Sequence, residues 1–260
     1  MKNRNFSLLL LLIATTLSAE DYNSIFTTPL NMHPGALNRQ FRVDFFQIEN
    51  KTDKVFELKR TLKVSGEYRF ANNFAVTSAA GRTDRTKTDT ERQRYFERFQ
   101  LGLKTAALHR KQTLLTGYYI NFHSAQLERA QLENESPEFF LFETGFSLGY
   151  AFPELQIITN FIFQTESNLI LKERFGQQFR RFYQFEIGVN GNITEKIKIY
   201  IESAYREPYS KKIDTHTRSW HLFPGISLDT TYGTFALSIR VPVTGQVMNR
   251  GGQLTFYKYF

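Results

Sequence analysis

The sequence predicts an all-β fold, a transmembrane antiparallel up-and-down β-barrel of about twelve strands. Three observations carry that expectation. Apolar and polar residues alternate with a period of two over segments longer than ordinary soluble strands. Aromatic residues make up 15% of the chain, with Phe 26 and Tyr 13, yet its mean hydropathy lies below zero. The connections between alternating segments are short and long in turn. A face turned to lipid and a face turned to a lumen reconcile the first two, because the two faces cancel in any window average.

The first element in the chain is an export segment. Lys2 and Arg4, an apolar run from Phe6 to Ile13, and small residues up to Ala19 ahead of Glu20 and Asp21 predict a secretory signal peptide over 1–19, cleaved after Ala19. At roughly 8 to 12 apolar residues, the run is too short to cross a hydrocarbon core of about 30 Å as a helix. Cleavage removes two bases and no acid, so the net charge falls from +8 to +6. Export decides how that charge reads: outer-membrane lipid, lipopolysaccharide and small anionic solutes are the expected partners, and nucleic acid is not. The absence of cysteine excludes a lipidated Cys, disulfides and thiolate chemistry. Residues 20–38, with Pro29, Pro34 and Gly35, carry no strand pattern and are expected to form a periplasmic lead-in or plug before a barrel over 39–260.

Residues 56–70 show the strand pattern over the greatest length. Phe56, Leu58, Arg60, Leu62, Val64, Gly66, Tyr68 and Phe70, mostly apolar, alternate with Glu57, Lys59, Thr61, Lys63, Ser65, Glu67 and Arg69. Ordinary strands run about 5 to 6 residues, whereas a tilted strand spanning a membrane needs about 9 to 11. The same alternation recurs at 138–152, 179–189 and 196–206. Extending it predicts strands at 39–48, 54–70, 74–82, 94–108, 113–123, 138–152, 155–165, 179–191, 196–206, 218–229, 231–243 and 253–260.

Connections at 71–73, 109–112, 153–154, 192–195 and around Thr230 are then short, with turn residues such as Asn72-Asn73, Pro153-Glu154 and Asn190-Gly191-Asn192. Those at 83–93, 124–137, 166–178, 207–217 and 244–252 are long and polar, with Gly251-Gly252 in the last of them, and only the first connection on that side, 49–53, is short. Short periplasmic turns and long outer loops are the asymmetry of outer-membrane barrels, and an even strand count returns both ends to the periplasm.

The inward face follows from the alternation. Lys59, Lys63, Glu67, Arg69, Arg98, Lys104, Glu143, Arg180, Glu186, Lys198, Glu202, Arg206 and Arg240 are the candidate lumen-lining residues, nine basic against four acidic. Charge is costly in hydrocarbon and tolerated in a wet lumen. Two readings of this set stand side by side: a narrow pore favouring small polar or anionic solutes, and a non-conducting barrel whose charges pair across the lumen. A lipid-acting barrel enzyme is the weakest alternative. His123 and Ser124 are adjacent, and His216 and Ser219 differ by an odd step, so neither couple shares a strand face as a nucleophile and its base must. His216 and His221 also fall on opposite faces, and no histidine has metal-ligand spacing. No enzyme activity, metal or cofactor is expected.

Two further runs carry resemblances. The chain ends Gln253-Leu254-Thr255-Phe256-Tyr257-Lys258-Tyr259-Phe260. This resembles the terminal strand of Gram-negative outer-membrane proteins and implies recognition by the barrel-assembly machinery, although Lys258 stands where that pattern favours an apolar residue. Pro34-Gly35 before the first strand, and Ile239-Arg240-Val241-Pro242-Val243-Thr244-Gly245-Gln246 before the last, resemble the barrel family associated with phenol-degradation pathways. That resemblance implies outer-membrane passage of small solutes. The strand count and basic lumen also resemble the twelve-stranded porins for acidic oligosaccharides.

Overall fold

The computed structural model describes residues 37–51, 56–71, 73–87, 91–109, 113–129, 138–168, 178–208, 218–244 and 248–260. The expected export segment and residues 20–36 of the lead-in lie outside the described residues. Twelve strands are present: β1 (Gln40–Lys51), β2 (Phe56–Ala71), β3 (Phe74–Lys87), β4 (Glu91–His109), β5 (Leu114–Arg129), β6 (Glu138–Ala151), β7 (Leu155–Asn168), β8 (Gln178–Asn192), β9 (Ile197–Pro208), β10 (Ser219–Thr230), β11 (Gly233–Thr244) and β12 (Met248–Tyr259). Each pairs antiparallel with its neighbours in sequence, and β1 pairs with β12 to close the barrel. Closure gives every strand a neighbour on both sides.

The turns at one rim are fixed by side chains. Thr194 Oγ1 accepts hydrogen bonds from the Lys196 and Ile197 N–H groups at 3.2 and 3.0 Å, which shapes the β8–β9 turn. Thr230 Oγ1 donates to the Gly233 carbonyl at 2.6 Å and accepts from the Tyr232 N–H in the β10–β11 turn. Gly233 has φ +149°, and a Cβ there would press on the Phe256 ring and the Tyr257 carbonyl, so only glycine suits this corner.

At the opposite rim the strands run further than their sequence pattern predicts. β3 continues to Lys87 and β4 begins at Glu91, so most of the expected 83–93 loop is a paired hairpin. β12 begins at Met248, which makes Gly251 and Gly252 strand residues rather than loop residues. The alternation is lost there because both faces meet water beyond the bilayer, while backbone pairing continues without needing it.

Outward residues are apolar and exposed, among them Leu62, Leu103, Phe161, Ile201, Leu237 and Leu254. Aromatic pairs mark both ends of this belt. Tyr150 and Phe152 lie 4.7 Å apart between ring centres at the short-turn end, as do Phe235 and Phe256 at 4.9 Å; Phe122 and Phe140 at 5.6 Å mark the other end. These are the girdles expected where a barrel meets the membrane interfaces. Inward, one ladder row runs from Gln40 through Glu67, Thr77, Gly102, Asn121, Glu143 and Gln164 to Phe182. It starts at the short-turn end of β1 and finishes near the loop end of β8, so strand stagger places the inward carboxylates at different depths.

Candidate functional site

The polar inner face is built in clusters, each started by a carboxylate that needs partners when removed from water. Glu67 on β2 accepts from Lys104 Nζ on β4 at 3.2 and 3.1 Å, reaching across β3. The Asn38 N–H, just before β1, donates to the same carboxylate at 2.6 Å. Asp44 accepts from Arg42 Nε at 2.8 Å, from Gln253 Nε2 at 2.9 Å and from Thr255 Oγ1 at 2.7 Å, which ties β1 to β12. Glu143 accepts from Asn121 at 3.0 Å and Gln164 at 2.8 Å. Glu186 accepts from Asn160 at 2.8 Å and Gln184 at 2.6 Å. Both are carboxylate–amide clusters, the first across β5, β6 and β7 and the second across β7 and β8.

Between these clusters lies a cavity of about 300 Å³ whose wall includes Gln40, Arg42, Asp44, Lys63, Glu67, Gln100, Lys104 and Tyr119. Arg42 and Lys104 already face carboxylates, whereas Lys63 forms no ion pair among the described residues. The Gln100 amide oxygen is buried without a partner. Tyr119 lies flat over Gly145, where any Cβ would overlap its ring. Tyr200 on β9 and Tyr257 on β12, the ladder partner of Arg42, meet through their hydroxyls at 3.4 Å, and Ser227 donates to Tyr200 at 3.1 Å. Near the short-turn rim the inner face turns apolar, as Ala106, Leu115, Ala151 and Ile158 cluster with Leu37 against them.

The sequence-derived residues fall in distinct surroundings. Glu67, Lys104, Glu143, Glu186 and Glu202 are buried. Lys63, Arg69, Lys198, Arg206 and Arg240 are half-buried, and Lys59 is exposed toward the loop rim. Lys198 pairs with Asp229 at 3.1 Å, and the Arg206 guanidinium lies 3.7 Å over the Phe182 ring. Arg98 sits at a bulge between Glu97 and Phe99, where the period of two that pointed it inward is interrupted. The side chains of Arg98 and Arg180 lie outside the described residues.

The sequence reading missed Arg42 and Asp44, although Gln40, Arg42 and Asp44 alternate with Phe41, Val43 and Phe45. It also missed His221, whose ring meets Arg240 across β10 and β11. His123 and Ser124 are successive residues of β5 and therefore point to opposite faces; His216 lies outside the described residues. Among the described residues, no group of three metal-ligating side chains is assembled.

No protein-family profile matches the chain, and no curated protein matches it. Solved structures do match in fold. An outer-membrane channel from Pseudomonas putida F1 superposes with a TM-score of 0.64 at 8% identity, covering 93% of this chain and 100% of that one. The KdgM porin in complex with disordered oligogalacturonate gives a TM-score of 0.56 at 8% identity, over 84% of this chain and 99% of the porin. The transport unit of the autotransporter AIDA-I from Escherichia coli gives 0.56 at 13% identity, over 92% and 94%. The fold is therefore that of the Gram-negative outer-membrane β-barrels. The three neighbours are named as a channel, a porin and a transport unit, and none as an enzyme.

Proposed function

We propose that this chain is a narrow outer-membrane channel for small polar solutes, with anions favoured by the basic residues of its inner face. The observation that carries the proposal is the polar cavity around Lys63, an inward cation without an ion pair among the described residues. Such a charge raises the local concentration of anions and repels cations. An apolar belt outside and a hydrogen-bonded polar lining inside suit a barrel that solutes enter from water. No catalytic residue is assigned, since His123 and Ser124 do not share a face.

Planar-bilayer recording of the refolded protein tests the proposal. Stepwise conductance with an anion-selective reversal potential is the expected result, and Lys63→Glu is expected to move that potential toward cations. A folded barrel that stays silent at every voltage overturns the channel reading. One observation favours a second reading, a non-conducting barrel with a structural or surface-binding role: the Glu67–Lys104 pair spans three strands inside the lumen with Asn38 against it. In that case the wild type is silent.

A further inference from the structure

Pairing between β11 and β12 stops at Arg240↔Gly251, although β11 runs on to Thr244 and β12 starts at Met248. Beyond that point each strand is held only by its other neighbour. Val241 and Pro242 face Leu222 and His221 of β10, while Met248, Asn249 and Arg250 face Lys51, Asn50 and Glu49 of β1. Among the described residues, no ladder joins β11 to β12 here. Pro242 has no N–H to donate, and the β10–β11 ladder also skips Phe223 and Pro224. Proline thus weakens the wall on both sides of upper β11.

Just inside this seam is a second cavity of about 200 Å³, walled by Phe46, Ile48, Phe223 and Arg240, with Ser238 and Gln253 as its further polar side chains. Gly251, beside the cavity, lies between Arg240 and Ile48 in the ladder. A side chain cannot be added there, because its Cβ would run into the Gln47 carbonyl.

Arg240 gives the cavity its chemistry. Its Nη2 donates to His221 Nε2 at 3.1 Å, and its guanidinium lies 5.9 Å from the Phe223 ring centre. Its Nε is buried without a partner, and no carboxylate pairs with it among the described residues. A sequestered guanidinium beside an imidazole and an aromatic ring lacks the anion that normally compensates it. A carboxylate matches its planar fork of donors. Phe46, Ile48 and Phe223 would strip water from a hydrated dianion such as phosphate, and beside Arg240 only the Ser238 hydroxyl and the Gln253 amide stand in the wall to return hydrogen bonds.

We propose that this cavity binds small monocarboxylates with an apolar or aromatic body, the carboxylate on Arg240 and the body against Phe46, Ile48 and Phe223. The unpaired β11–β12 stretch lets that body extend toward the bilayer. The proposal rests on the solute-channel reading and sharpens it by naming a substrate class.

Calorimetric titration of the refolded wild-type barrel with sodium benzoate, benzamide and sodium phosphate is the test. Benzoate is expected to bind at least ten-fold more tightly than benzamide or phosphate, with Arg240→Gln abolishing the difference and Phe223→Ala weakening binding. Benzamide or phosphate matching benzoate overturns the site even if Arg240→Gln fails to fold. Binding of 4-butylbenzoate at least as tight as benzoate supports the open wall, and its exclusion overturns that part. Conductance without benzoate binding refutes this site alone, whereas benzoate binding to a silent barrel refutes the channel reading alone.

Discussion

The Lys104 ammonium and the Glu67 carboxylate are each almost fully buried, with side-chain exposures of 4% and 3%, so each is the other's principal compensation for lost water. Removing one partner strands the other. Lys104→Met is therefore expected to destabilise the barrel by about 3–5 kcal/mol, while Glu67→Leu combined with Lys104→Met recovers most of that loss. Urea unfolding in lipid vesicles measures both; a single variant as stable as the wild type would mean that water reaches the pair. Tyr119 offers a second local test. Its ring occupies the space that Gly145 leaves open, so Gly145→Val is expected to tilt the ring off the wall and lower single-channel conductance. At this scale the sequence is informative wherever facing alone decides. Gln40, Arg42 and Asp44 alternate legibly, but the meeting of His221 with Arg240 depends on how β10 and β11 align beside a register shift. No local pattern encodes that alignment.

A strand here is specified by what its two faces meet, which explains both the success and the limits of reading elements from sequence. Inside the bilayer the requirement is strict. On β11 the outward residues Phe235, Leu237, Ile239, Val241 and Val243 alternate with buried Thr234, Ala236 and Ser238. Leu237→Arg is expected to destabilise the barrel by about 2–4 kcal/mol, as arginine does near the bilayer midplane. Arg60→Leu, on the outward face of β2 near the loop rim, is expected to change stability little, because that position is not committed to lipid. Unfolding midpoints of the two variants, measured side by side, check the facing assignment. Outside the bilayer neither face is constrained by burial. The β3–β4 hairpin from Thr83 to Arg92 reads as loop in sequence yet pairs residue for residue up to Lys87↔Glu91. The bulge at Arg98 is similarly hidden, because a single inserted residue shifts facing without changing composition.

Closure of the barrel depends on matching the first strand to the last, the longest-range pairing in the chain. β12 aligns with β1 from Gln40↔Tyr259 to Lys51↔Met248, and the Phe260 N–H adds a bond to the Arg39 carbonyl at 2.9 Å. The terminal residues contribute unequally. Tyr257 is buried against Tyr200, and Phe256 packs at a tilt against Phe235 in the lipid-facing girdle, whereas Lys258 is exposed opposite Phe41. Lys258 breaks the terminal pattern on the outer face at the short-turn rim, where a long basic side chain reaches the membrane interface. Deleting residues 257–260 removes the pairs to Gln40, Phe41 and Arg42, together with the Phe260 bond, and exposes backbone groups that lipid cannot satisfy. The truncated chain is expected to lose the faster migration on unheated gels that a closed barrel shows, while Lys258→Leu retains it. Equal migration of the truncated and full-length chains would mean that closure is secured higher up, by Asp44 with Gln253 and Thr255, and that the last turn of β12 is dispensable.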